Sequence, residues 1–242
     1  MTDLKECNVL LTGASRGLGR ALFEQLAEAG ARVVGIARRE APLQDVASQL
    51  RARGLDAHAL GGDVGDPDAI YPIAGAAQAL IGPIDILIHN ASTLGPTPLG
   101  PLLDTPCEEL ARVLAVNLLG PFRLTKAIVG GMLVRGRGIV VSVTSDAAVT
   151  AYPGWGAYGV SKAALDHLSR SWASELAGTG VIAVSVDPGE MDTEMHRAAL
   201  PEADPNGLAR PAQVAASLLE RLREVRAEDS GQRFSLAAAG PR

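Results

Sequence analysis

The sequence predicts one α/β domain, a doubly wound parallel β-sheet with helices on both faces. Three observations carry that expectation. Short continuous apolar runs alternate with longer stretches of helical periodicity, and continuous β-branched runs mark strands buried on both faces, as in parallel sheets. A glycine-rich turn links the first strand to the first helix. Polar or turn residues also stand just past one strand end after another, at Thr12, Arg38, Asp63, Asn90, Ser145 and Pro188. In a doubly wound sheet these positions fall on one edge, where ligands bind.

In chain order, the expected strands are Cys7–Thr12, Arg32–Ala37, Asp56–Leu60, Ile84–His89, Gly138–Val143, Val181–Val186 and a weaker Gln232–Leu236. Expected helices cover about Leu18–Ala29, Pro42–Arg53, Pro67–Leu80, Pro106–Arg135, Ala157–Ala177 and Pro211–Arg223. The first helix shows the pattern clearly, with Leu18, Leu22, Leu26 and Ala29 on one face and Gly30 ending it. In the long fourth helix, Pro121 has no N–H, so the carbonyl of Asn117, four residues earlier, loses its helical partner. Right-handed crossovers between strands give the doubly wound topology. The segment from Met191 to Pro211 is polar and interrupted by proline, the character of a mobile lid at about 190–210. No repeat or low-complexity linker divides the chain, so residues 1–242 read as a single domain.

Composition narrows the function. A chain of 242 residues with 47% hydrophobic content buries a large core and is not disordered. Its net charge of −5 argues against a nucleic-acid partner. The start, Met1 to Cys7, mixes charges and does not read as a secretory signal. No uninterrupted apolar stretch approaches the ~20 residues of a membrane span. Two cysteines without a motif, Cys7 and Cys107, read as reduced thiols, and a cytoplasmic location is the expectation. Neither a metal site nor a membrane partner is expected.

Two motifs carry the chemistry. The first is Thr12-Gly13-Ala14-Ser15-Arg16-Gly17-Leu18-Gly19, placed between strand and helix. Gly13 permits a sharp turn, while Gly17 and Gly19 let the backbone approach a pyrophosphate seated on the helix N-terminus. The second is Tyr158 and Lys162, four residues apart on a helix and therefore on one face. An unperturbed phenol ionises near pH ~10 and a neighbouring cation favours phenolate. So tuned, Tyr158 could exchange a proton with a substrate oxygen near neutral pH.

With both motifs in place, the chain resembles the short-chain dehydrogenase/reductase family in its compact single-domain form, from about Cys7 to Phe234. Seven segments match in order: the glycine turn, Gly62-Asp63-Val64, Asn90-Ala91-Ser92, Asn117, Ser145, the Tyr158/Lys162 pair and Asp187-Pro188-Gly189. The resemblance implies a Rossmann-like fold and hydride transfer between a nicotinamide cofactor and a carbonyl or alcohol. It assigns a catalytic set of Asn117, Ser145, Tyr158 and Lys162. Ser145 would orient the substrate oxygen, Lys162 would hold the nicotinamide ribose, and Asn117 would hold a water beside Lys162. The cofactor would be bound by Gly13, Ser15, Arg16, Gly17, Leu18 and Gly19 at the phosphates. Asp63 and Val64 would meet the adenine, and Asn90, Ala91 and Ser92 the ribose. Pro188, Gly189, Met191 and Thr193 would surround the nicotinamide. Two departures stand out: His89 replaces the family's usual first Asn, and Ser92 its Gly. His89 is expected to close the fourth strand rather than join the chemistry.

Cofactor choice follows from the end of the second strand. Where NAD-preferring relatives carry Asp, this chain has Ala37, followed by Arg38 and Arg39, with Arg16 near the same corner. Guanidinium groups bind phosphate in bidentate fashion, so NADP(H) is expected over NAD(H). For the substrate, Ser145 with Leu94, Tyr152, Trp155 and Glu190 outline a partly aromatic pocket suited to a hydrophobic ketone, diketone or quinone. The helix after Tyr158 carries an apolar surplus, and since the family it resembles pairs such helices across a two-fold axis, the resemblance implies a homodimer or homotetramer. Two rival readings are a protein that binds NADP(H) as sensor or scaffold without turnover, and a nucleotide-sugar epimerase or dehydratase, which would need an added substrate domain.

Overall fold

The computed structural model describes residues 3–236. Within them lies one sheet of strands β1 (Asn8–Thr12), β2 (Arg32–Ala37), β3 (Ala57–Gly61), β4 (Ile86–His89), β5 (Gly138–Val143), β6 (Val181–Asp187) and β7 (Arg233–Ser235). Their order is β3-β2-β1-β4-β5-β6-β7, and every neighbouring pair is parallel. The expected doubly wound α/β fold is therefore present. Strand order reverses between β1 and β4, where the two halves of the sheet meet and a crevice opens beyond the strand ends.

The helices are α1 (Gly17–Glu28), α2 (Glu40–Ala52), α3 (Ile70–Ile81), α4 (Cys107–Leu114), α5 (Gly120–Arg135), α6 (Gly156–Glu175), α7 (Glu194–Ala199) and α8 (Pro211–Glu224). One core layer joins the sheet to α1, α2 and α8 through Leu22, Phe23, Leu50 and Leu218. The other joins it to α3, α5 and α6 through Ile73, Leu124, Met132 and Ala173. Every residue of β1, β4 and β5 is buried. With both faces covered, strand residues of this chain can present chemistry only at the carboxyl ends.

Two elements depart from expectation. The long helix is not uniform. A π-helical segment, Ala115–Leu119, separates α4 from α5, and Gly120 N–H bonds the Ala115 carbonyl five residues back. The missing donor at Pro121 is thus absorbed by a wider turn rather than a kink, as π-bulges at functional sites often do. This 29-residue helical rod is long and apolar enough to span a bilayer, yet Leu124, Ile128 and Met132 bury its inner side under the sheet. The second departure is α7, which folds within the segment expected to be a loop. That segment is clasped at its base by a bridge from Met191 to Ala209.

His89 ends β4, as expected, and is fully buried with Nε2 2.8 Å from Thr125 Oγ1. Burial pushes its pKa from 6.5 down to about 3. The native imidazole therefore stays neutral as the unfolded one gains a proton, so this group's contribution is present above pH 6.5 and is lost as pH falls towards about 3. His89→Asn removes that acid sensitivity. Urea midpoints at about pH 7 and about pH 4.5 should differ less for the variant than for the parent, and an equal drop would refute the linkage.

Candidate active site

The crevice at the switch point is a cleft of about 560 Å³. The glycine turn forms its floor. Gly13 has φ +71°, and a Cβ there would lie 2.7 Å from Ala91 Cα. At Gly19 a Cβ would collide with the Gly13 carbonyl oxygen and the Asn90 side chain. The turn is tied to the end of β4: Asn90 Nδ2 donates to the Thr12 and Gly13 carbonyls, each at 3.1 Å. Thr12 Oγ1 accepts from the Asn90 and Ala91 N–H groups at 3.1 and 3.0 Å. Thr12 was legible as a strand-end residue opening the glycine turn at the ligand edge, but its role as a post between β1 and β4 comes from tertiary contact. The Asn90 amide is thus engaged with the turn itself, and only the rest of the residue faces the cleft.

The remaining cofactor candidates line the same space. Ser15, Arg16, Gly17, Leu18, Arg38, Arg39, Asp63, Val64, Ala91, Ser92, Pro188, Met191 and Thr193 surround the cleft, together with Tyr158 and Lys162. Gly189 falls outside it, in an adjoining chamber. Arg38 and Arg39 are exposed and make no ion pair among the described residues. Arg16 instead reaches across to Glu194, 2.7 Å away. Asp63 Oδ1 accepts from Gly65 N–H at 2.8 Å, and the Thr193 hydroxyl accepts from His196 N–H at 3.1 Å as the cap of α7.

Tyr158 and Lys162 are both buried on α6, one turn apart. Lys162 Nζ donates to the Val143 carbonyl at 2.8 Å and sits 5.6 Å from the centre of the Tyr158 ring. The expected tuning is not what the geometry gives. Burial is the largest influence on the phenol and drives its pKa up to about 12, helped by the carboxylates of Asp146 and Asp187. The Ser145 and Ser92 hydroxyls oppose it, Ser92 from beyond a full hydrogen bond. Burial likewise lowers Lys162 to about 8, against the pull of Asp166. Desolvation of the phenolate outweighs the opposing hydroxyls, so Tyr158 is a protonated donor throughout the neutral range.

Asn117 lines neither cavity. Wholly buried in the π-segment, its Nδ2 donates to the Thr93 carbonyl and to Ser161 Oγ, each at 2.9 Å. Its Oδ1 accepts from Thr93 N–H at 2.9 Å, and Ser161 Oγ donates to the Tyr158 carbonyl at 2.6 Å. Asn117 therefore braces the first turn of α6 through its side chain.

Beyond Tyr158 lies a second chamber of about 310 Å³. It gathers all of the substrate candidates, Ser145, Leu94, Tyr152, Trp155 and Glu190. Tyr152 is not simply an apolar wall: it is 41% exposed and its hydroxyl donates to Asp146 Oδ2 at 2.8 Å. Ser145 Oγ donates to Asp146 Oδ1, also at 2.8 Å.

Sequence reading missed Asp146 and His196 in this chamber, and it missed Arg233. Arg233 is the hub behind the site. Its Nη2 donates to the Ser145 carbonyl and to Asp187 Oδ2, both at 2.9 Å, and its Nε to Asp166 Oδ2 at 3.1 Å. No local signal could find it, because its partners lie 46, 67 and 88 residues away.

The residues present fit a dinucleotide. Gly13 and Gly19 hold the floor so close to neighbouring backbone that side chains are excluded. Thr144 Oγ1 and Ser92 Oγ, both on the cleft wall, are buried without a hydrogen-bond partner among the described residues. Such groups call for a polar ligand.

A family model described as short chain dehydrogenase matches residues 7–204. A short chain dehydrogenase of Pseudocercospora fijiensis is 40% identical over 196 residues, 80% of this chain but 62% of that protein, so this chain spans less than two thirds of that relative. The 3-oxoacyl-acyl-carrier-protein reductase of Escherichia coli is 36% identical over 189 residues, 78% of this chain and 75% of that one. Among solved structures, an actinorhodin polyketide ketoreductase with NADPH superposes with a TM-score of 0.86 at 27% identity, covering 98% of this chain and 97% of the other. The chain belongs to the short-chain dehydrogenase family, oxidoreductases acting on CH–OH groups.

Arg233→Met should leave Asp166 and Asp187 without their cation and lower unfolding stability by about 3–5 kcal/mol. A denaturant midpoint unchanged from the parent would remove Arg233 from its place at the hub.

Proposed function

We propose that this protein is an NADP(H)-dependent carbonyl reductase or alcohol dehydrogenase with Tyr158 as its acid/base. One observation carries the reading: Tyr158 lies on the wall between the dinucleotide-shaped cleft and the apolar chamber, and lines both. When bound, NADPH supplies hydride to a carbonyl carbon. Tyr158, kept protonated by burial, gives its proton to the carbonyl oxygen, and Ser145 orients that oxygen and donates to its developing charge. For that the Ser145 hydroxyl must turn from Asp146 towards the substrate. Lys162 holds the ribose and, in the oxidative direction, favours the phenolate. Asn117 acts as a positioning residue, through Ser161 and the Tyr158 carbonyl.

The preference for NADP(H) is supported by Arg38 and Arg39, without an acidic partner among the described residues at the end of β2, and by Ala37 in place of an acid. The NADPH-bound ketoreductase is a structural relative in keeping with it. Leu94, Trp155, Met195 and Leu200 wall the chamber and favour a ketone with a hydrophobic portion. The segment at about 190–210, with α7, would act as its lid, a reading supported by the clasp from Met191 to Ala209. Exposed Phe122, Leu133 and Val134 on α5 and Val160 on α6 support a homodimer or homotetramer. Unpaired thiols at Cys7 and Cys107 agree with a cytoplasmic location.

Tyr158→Phe should lose ketone-dependent NADPH oxidation by about 10²–10⁴-fold while NADPH affinity, read by fluorescence titration, changes little. Turnover retained in that variant would sink the acid/base assignment, and NADPH binding without turnover of any ketone by the parent would identify a sensor instead. Arg38→Asp should weaken NADPH far more than NADH in the same titration. Equal losses would place the 2′-phosphate elsewhere.

A further inference from the structure

The acids around the substrate chamber divide by whether they hold a cation. Asp187, on the chamber wall, pairs with Arg233 at 2.9 Å; outside the wall, Asp192 pairs with Arg197 and Glu194 with Arg16, each at 2.7 Å. Asp146 and Glu190 line the chamber and have no arginine or lysine partner among the described residues, and no arginine or lysine lines that space. Asp146 is held in place by three neutral donors: the Ser145 hydroxyl, the Ala147 N–H and the Tyr152 hydroxyl, each at 2.8 Å. None of the three carries charge, so this exposed carboxylate keeps an open acceptor site and has no cationic partner among the described residues.

An independent observation points the same way. His196, on α7, lines the same chamber with its side chain only 10% exposed. Both of its ring nitrogens are buried without a hydrogen-bond partner among the described residues, and Glu190 Oε1 is 3.8 Å from Nε2. Carboxylates only accept, and the neutral imidazole adds one acceptor nitrogen beside its single N–H donor, which faces Glu190 if it is on Nε2. The polar end of the chamber is therefore rich in acceptors and negatively charged. A ligand that donates hydrogen bonds and carries positive charge answers both conditions. A neutral polyol answers the first alone, and an anion neither.

We infer that the chamber selects a carbonyl compound bearing a protonated amine, an amino ketone or in reverse its amino alcohol, with the ammonium held among Asp146, Glu190 and His196. The inference rests on the carbonyl-reductase reading of the site. The reacting oxygen, Ser145 Oγ, Asp146 Oδ1 and the ammonium are joined by three successive hydrogen bonds, so the ammonium lies within roughly 8–9 Å of the reacting oxygen and belongs to a short chain. The apolar walls take the hydrocarbon part. Through the reaction the amine stays protonated: hydride goes to carbon and the Tyr158 proton to oxygen.

The test compares kcat/KM with NADPH for size-matched ketones carrying an amine, a methyl group, a carboxylate or paired hydroxyls. In parallel, the amino alcohol and its methyl isostere are titrated calorimetrically into the Tyr158→Phe protein loaded with NADP⁺. The amine should exceed the methyl isostere by about 10-fold or more and the carboxylate by about 100-fold, with the same order in the titration. The double variant Asp146→Asn/Glu190→Gln should bring the amine-to-methyl ratio close to one, its melting temperature and NADPH affinity showing that it is folded. A methyl, carboxylate or polyhydroxy ketone that matches or beats the amine, or a ratio indifferent to the double substitution, overturns the inference and leaves the carbonyl-reductase reading standing. If no ketone is reduced, or NADPH does not bind, that reading fails and the inference falls with it.

Discussion

Both faces of this sheet are buried, and that constraint organises everything else in the molecule. A strand covered on two sides can carry polar groups only where it ends. Thr12, Asn90, Thr144 and Ser145 all stand at such ends, and the reversal of strand order between β1 and β4 holds the ends apart to leave a cleft. The cleft keeps its shape because its edges are tied to one another. Thr12 and Asn90 lock the glycine turn to β4, and Arg233 locks β7 to β6, to α6 and to the backbone of Ser145. These ties join elements far apart in the chain, so the site is rigid only once the whole sheet is assembled.

The same burial sets the chemistry. Tyr158 and Lys162 are both sunk in low dielectric, which disfavours charge on either and moves their pKa values in opposite directions, the phenol up and the amine down. A buried neutral phenol is a proton donor in waiting, suited to reduction of a carbonyl. Asp146 and Asp187 reinforce that state from the substrate side. A cationic group on the substrate would offset Asp146, which joins recognition of the substrate to the acidity of the residue that protonates it.

Much of the architecture was legible in the sequence because it rests on local pattern. Apolar runs gave the strands to within a residue or two, and Leu18, Leu22 and Leu26 fall on the buried side of α1. The glycine turn and the Tyr158/Lys162 spacing located the cleft, because a turn and a helix face are local geometries. His89 was placed correctly by its position at a strand end. Less legible was Asn117. Pro121 announced a disturbed helix, but whether it would kink or widen depended on how Ser161 and Thr93 pack against the π-segment.

What the sequence determined by itself was the fold class and the residue types that reach the site, since periodicity and turn chemistry act over a few residues. Tertiary structure alone decided the ionisation of Tyr158, the long-range grip of Arg233 and the uncompensated charge of Asp146 and Glu190. Each of these depends on depth below the surface and on partners distant in sequence. Electrostatic energy follows distance and dielectric in space, and a linear sequence encodes neither until the chain has folded.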